Sequence, residues 1–176
     1  DVAFISLLRP DFAIQNAYYG FAGRVEDMAF IIPTFLLNST LPVLTQRLEK
    51  GEDVRSMLGK TMMLLLVFGS VFALFSWLWA VPLTLLFTTP EYLGTPNQPG
   101  SDTAFVLMSV PMFLNGFVLY AFYVFLAQHR WKQLIGGFTV GVVFTIILNV
   151  TWTKAYGFPG AAWTLILVHL GLAALL

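Results

Sequence analysis

Residues 61–90 read TMMLLLVFGSVFALFSWLWAVPLTLLFTTP, a stretch that carries no formal charge. At 1.5 Å rise per residue a helix needs about 20 apolar residues to cross a hydrocarbon core of about 30 Å, and this stretch exceeds that length. Four further charge-free runs cover 28–46, 103–128, 133–153 and 155–176. A soluble domain would spread charge along each surface helix. Here 58% of residues are hydrophobic and 10% charged, with a mean hydropathy of +0.80. The fold class is therefore all-α, a polytopic bundle of transmembrane helices. No segment sustains strand-like alternation, and open sheet edges cannot face lipid.

Working outward from 61–90, charges and turn residues place helices at about 14–47, 55–87, 102–128 and 133–153, with truncated helices over 1–8 and 160–176. The loop over 88–101 is dense in Pro, Gly, Thr and Asn, the residues that punctuate helices. Both 14–47 and 55–87 exceed one bilayer crossing, so they must tilt, kink or project, and Pro33, Pro42, Pro82 and Pro111 offer kink points. The chain begins at Asp1 and stops at Leu176 within apolar runs. The expectation is one transmembrane unit over 1–176, cut from a larger transporter-like protein.

Loop charges set an orientation. Arg47, Lys50, Arg55 and Lys60 follow one long helix, and Arg130 and Lys132 follow another, while the opposite loops carry only Arg9 and Lys154. The positive-inside rule puts loops 47–60 and 129–132 in the cytoplasm. Trp77, Trp79, Trp131 and Trp152 lie toward helix ends, as interfacial belts do.

Composition also excludes. Formal net charge is zero, which leaves a nucleic-acid partner without electrostatic support. The chain has no cysteine, so disulfides, thiolate nucleophiles and zinc–thiolate sites are excluded. No phosphate-binding Gly-rich loop, nucleophile elbow or metal-ligand spacing occurs, so the expectation is a non-enzyme without cofactor or metal.

What remains is where polar groups break the apolar pattern. Arg24, Glu26 and Asp27 place three charges in four residues near the outer end of the second helix. An ionised group at the bilayer centre costs about 2.5–3.5 kcal/mol or more, so such groups face protein or a water-filled cavity. Arg24 and Asp27 are spaced i, i+3 and suited to pair on one face, which continues through Ile31, Thr34, Asn38, Leu41 and Thr45. That stripe points to an aqueous path; the plainer alternative keeps Arg24 and Asp27 at headgroup level as an interfacial anchor. Asn115, Thr145 and Asn149 are weaker interruptions, read first as hydrogen-bonding glue between helices, with Asn115 also a substrate-path candidate beside Arg24, Glu26, Asp27 and Asn38. Gly137 and Gly141 form a close-packing GxxxG, and His169 reads as a buried hydrogen-bonding residue.

Several motifs in order resemble one family. Residues 17–24 (AYYGFAGR), 31–33 (IIP), 41–44 (LPVL) and Arg47-Leu48 resemble the eighth helix of polysaccharide flippases of the multidrug/oligosaccharidyl-lipid/polysaccharide exporter superfamily. Residues 85–87 (LLF) ahead of 91–93 (EYL), and 156–163 (YGFPGAAW), are similar to later segments of the same proteins. The resemblance spans nearly the whole chain, from about the end of helix seven to the start of helix twelve. It implies part of the C-terminal lobe of a two-lobed, 12–14-helix transporter of the cytoplasmic membrane, working by alternating access. The implied substrate is a lipid-linked oligosaccharide carried from inner to outer leaflet, with the lipid bilayer and polysaccharide-assembly proteins as partners. In that frame Arg24 is a donor for diphosphate, or forms with Asp27 a gate near the outer mouth. The competing readings are a cation-coupled multidrug exporter of the same superfamily, a membrane-embedded glycosyltransferase or polymerase subunit, and a non-transporting scaffold.

Overall fold

The computed structural model describes residues 1–96 and 98–175. It is helical almost throughout, and its elements in chain order are α1 (Val2–Leu8), α2 (Phe12–Glu49), α3 (Arg55–Leu78), α4 (Ala80–Phe87), a 3₁₀ turn at Pro90–Tyr92, α5 (Ser101–Ala127), α6 (Trp131–Leu148), a π-turn at Asn149–Thr153, α7 (Lys154–Tyr156) and α8 (Phe158–Leu175). No named strand occurs among the described residues. Helices satisfy backbone polar groups within the segment, which a lipid solvent requires.

Five of these stretches are long and apolar enough to cross a membrane: Phe12–Glu49, Arg55–Leu78, Ser101–Ala127, Trp131–Tyr156 and Phe158–Leu175. The expected continuous helix over 55–87 is instead broken at Trp79. Pro82 explains the break, because it has no N–H for the carbonyl of Leu78 and its ring crowds that carbonyl. By contrast α2 runs unbroken through Pro33 and Pro42, and α5 through Pro111. The helix expected to end at Thr153 continues through the π-turn to Tyr156, and the last helix starts at Phe158, just after Gly157 turns the chain with φ +68°.

α5 is the central strut. It packs against α2, α3, α4 and α8, and its buried residues include Ala104, Phe105, Met108, Pro111, Met112, Leu114, Gly116 and Val118. The α3–α5 crossing is close because glycines face it from both sides. A Cβ added at Gly69 would lie 3.5 Å from the Cα of Phe113, and one at Gly116 would lie 3.5 Å from the carbonyl of Leu65. Outside this interior the surface is apolar: Phe35, Met63, Leu78, Leu86, Ile135, Val142 and Ile147 are all exposed. A soluble chain would hide such side chains, whereas a lipid solvent wets them.

The two ends of the bundle differ. At one end the 9–11 turn, the 88–101 loop and the 154–157 turn come together around a core of Ile5, Tyr19, Ala22, Leu83, Phe105, Phe158 and Ala161. Ser101 Oγ donates to the carbonyl of Tyr18 at 3.1 Å, and Tyr18 OH donates to the carbonyl of Glu91 at 3.1 Å. At the other end Leu44, Val54 and Ala127 pack together, bringing the 50–54 turn beside the end of α5. The loops alternate between ends as the charge count requires, with Arg47, Lys50 and Arg55 at the second end.

Candidate functional site

α2 carries both faces of the candidate site. Its buried row is Gln15, Tyr19, Ala22, Ala29, Pro33, Leu37 and Leu44, the three- and four-residue spacing of one helix face. Glu26 stands on this row, four residues after Ala22 and three before Ala29, and is half-buried. Arg24, Asp27 and Asn38 lie off it and are exposed. So α2 turns one acid toward the packed interior and leaves the other charges on its open side.

The open side forms a shallow groove of about 230 Å³ lined by Asp27, Phe30, Ile31, Thr34, Phe35 and Asn38. Polar groups occur at 27, 34 and 38, roughly one per turn or two, between aromatic walls. The amide of Asn38 is held by α5, since Tyr123 OH donates to Asn38 Oδ1. Neighbouring Leu41 leaves the groove and lines a small apolar space between α2, α3 and α5 with Met57, Thr61 and Tyr120. Thr45 turns its hydroxyl back onto the carbonyl of Leu41 at 3.0 Å. The stripe expected from sequence therefore holds from Asp27 to Asn38 and ends there.

Two expected contacts are absent. Arg24 and Asp27 do not pair; the ion pairs among the described residues are Arg9–Asp11 and Arg47–Glu52. Both side chains stand exposed, where a pair gains too little to hold two long rotamers together. Asn115 is half-buried in α5 and makes no side-chain hydrogen bond among the described residues, so it is not glue in this state. The structure brings Asp27 and Asn38 into one groove, leaves Arg24 outside its lining, and sets Glu26 and Asn115 elsewhere.

A second polar site went unseen as a site in the sequence. Asn149, wholly buried, donates from Nδ2 to Asp1 Oδ1 at 3.1 Å and to the carbonyl of Thr145 at 3.0 Å, and accepts from Thr153 Oγ1 at 2.8 Å. Tyr19 OH donates to the other Asp1 oxygen at 3.1 Å. One turn away, Gln15 Oε1 accepts from the backbone N–H of Phe158 at 2.9 Å, while its Nε2 donates to Asp11 Oδ2 at 3.1 Å. Arg9 closes the chain of bonds on Asp11 through Nε at 2.8 Å and Nη2 at 2.9 Å. This bidentate pair holds the Asp11 carboxyl below its ordinary range and raises the Arg9 guanidinium. Asn149 was marked by its type alone; Gln15 near the start of α2 and the i, i+4 spacing of Asn149 and Thr153 were the available further signals. His169 makes the expected hydrogen bond, its Nδ1–H donating to the carbonyl of Leu165 at 2.9 Å, but is half-buried rather than buried.

No group of three or more His, Cys, Asp or Glu side chains suited to a metal lies together among the described residues. No family model matches the chain, and no curated protein or solved structure matches it either.

Proposed function

We propose that this chain is part of a transporter that moves a lipid-linked oligosaccharide across the cytoplasmic membrane by alternating access. The observation that carries the reading is the groove on α2: Asp27, Thr34 and Asn38 line an open face of a helix long and apolar enough to span the bilayer. Against lipid such a face is costly, and against a water-filled path it is not. A sugar–diphosphate head needs a polar path of this kind while its polyprenyl tail stays in hydrocarbon. The ordered motifs that resemble those of polysaccharide flippases suggest the substrate class, and the loop charges favour 47–60 and 129–132 on the cytoplasmic side. Arg24, exposed one turn outward of Asp27, is the donor for the diphosphate at the outer mouth.

The absence of cysteine makes the path directly testable. Thr34→Cys and Asn38→Cys in the full-length protein react with a membrane-impermeant maleimide, whereas Val142→Cys and Ile147→Cys on the apolar face of α6 do not. Equal protection at all four positions would put α2 against lipid and end the transporter reading. Substrate class is read separately: Arg24→Ala and Asp27→Ala fail to restore polymer export in a null strain although they insert normally. One observation favours a second reading. Glu26 is a half-buried acid on the inner row of α2 with no cation partner among the described residues, the type of group a cation-coupled drug exporter needs. Ion-dependent efflux of a cationic dye that is lost in Glu26→Gln would favour that reading.

A further inference from the structure

The π-turn at Asn149–Thr153 is the least regular piece of backbone inside any span. A π-turn holds one residue more than the α-helix around it and persists only where its surroundings favour it. Here the surroundings are specific. Its first and last residues, Asn149 and Thr153, are both wholly buried and bonded to each other. A side-chain hydrogen bond from outside the π-turn comes from Asp1, whose carboxylate accepts from Asn149 while also accepting from Tyr19 of α2. Asn149 Nδ2 also donates to the carbonyl of Thr145, which accepts the backbone N–H of Asn149 as well.

The consequence lies downstream. The carbonyl of Trp152, inside the π-turn, sits so close to Gly160 that a Cβ there would overlap it. Phe158, which opens α8, is tied through its N–H to Gln15. The register of the π-turn therefore sets where α8 meets α2. Absorbing the extra residue into an α-helix would rotate everything after it by about 100° and carry Trp152 away from Gly160.

We propose that the Asp1–Asn149 hydrogen bond is a latch: it holds 149–153 in the π register, and its release lets the segment return to α-helix and shift the entry of α8. The latch makes Asp1 a control point for the helices on either side of the π-turn, whatever the protein carries. Among the described residues it is the side-chain bond that joins α1 to the π-turn.

The test uses the cysteine-free full-length chain with Thr153→Cys as reporter, a residue that is wholly buried while the latch is closed. With Asp1 present the thiol resists maleimide. In Asp1→Ala it reacts about tenfold faster, the factor equivalent to a charged hydrogen bond of about 1.4 kcal/mol. Glu91→Cys, exposed in the 88–101 loop, reacts at the same rate in both backgrounds. Deleting Thr151, an exposed residue of the π-turn, removes the surplus residue and restores protection of Thr153→Cys even in Asp1→Ala. Continued protection in Asp1→Ala overturns the latch. So does reactivity that the Thr151 deletion fails to reverse, because general loosening would then be the cause.

Discussion

At the scale of single residues, the side chains that matter most are those whose polar atoms have no alternative to the bonds they make. Asn149→Ala takes the partner from an Asp1 oxygen and from the wholly buried Thr153 hydroxyl, and a hydroxyl cut off from water costs about 1–3 kcal/mol when left unbonded. Unfolding of the purified protein in detergent should show that loss, while Asn115→Ala, which removes no observed hydrogen bond, should leave stability nearly unchanged. The Arg9–Asp11 pair makes a pH prediction. The hydrogen bonds from Arg9 hold its carboxyl below the ordinary aspartate range, so the pair contributes above the unfolded pKa and that contribution is lost as pH falls through the folded value. Amide protection in the 9–12 turn, relative to the intrinsic exchange rate at each pH, should therefore hold through neutral and mildly acidic pH and fall only below about pH 4. Asp11→Asn should exchange fast at every pH.

At the scale of elements, the α3–α5 crossing shows what glycine does in a membrane bundle. The positions that added Cβ atoms would take at Gly69 and Gly116 are in ordinary contact with the facing helix, so alanine fits and gains about 1 kcal/mol of helix propensity. Leucine at either site forces the helices apart and costs about 1–3 kcal/mol. Unfolding midpoints of the Ala and Leu variants should move in opposite directions; equal effects would mean the crossing is loose. The break at Trp79 belongs to the same scale. Pro82 was visible in the sequence as a kink point, but its difference from Pro33, Pro42 and Pro111 was not, because those three lie in helices that continue through the proline.

At the scale of the whole molecule, the alternating loops make a topology that labelling can read. In intact cells Glu91→Cys should react with an impermeant maleimide and Glu52→Cys should not, since they lie in loops at opposite ends of the bundle. The reverse pattern would invert the orientation inferred from loop charge. The five long apolar helices and their order were legible because a hydrocarbon solvent constrains length and polarity one helix at a time. The groove was half legible: the i, i+3, i+4 stripe brought Asp27, Thr34 and Asn38 to one face, but not the outward turn of Arg24 or the inward turn of Glu26. Those depend on how α2 rotates against α5, which no local pattern encodes.

The sequence by itself determined a helical bundle with five helices long and apolar enough to cross a membrane, its loop parity and one helix with a polar side. Each follows from transfer free energy, a property of a segment and its solvent. Only the tertiary structure decided that Arg24 and Asp27 stand apart, that Glu26 faces inward, and that Asp1, Tyr19, Asn149 and Thr153 meet at a π-turn. Those four come from three separate helical segments, with Asp1 and Asn149 148 residues apart in sequence. A buried hydrogen bond of that kind is specified by packing geometry between helices, and the periodicity of any one of them is blind to it.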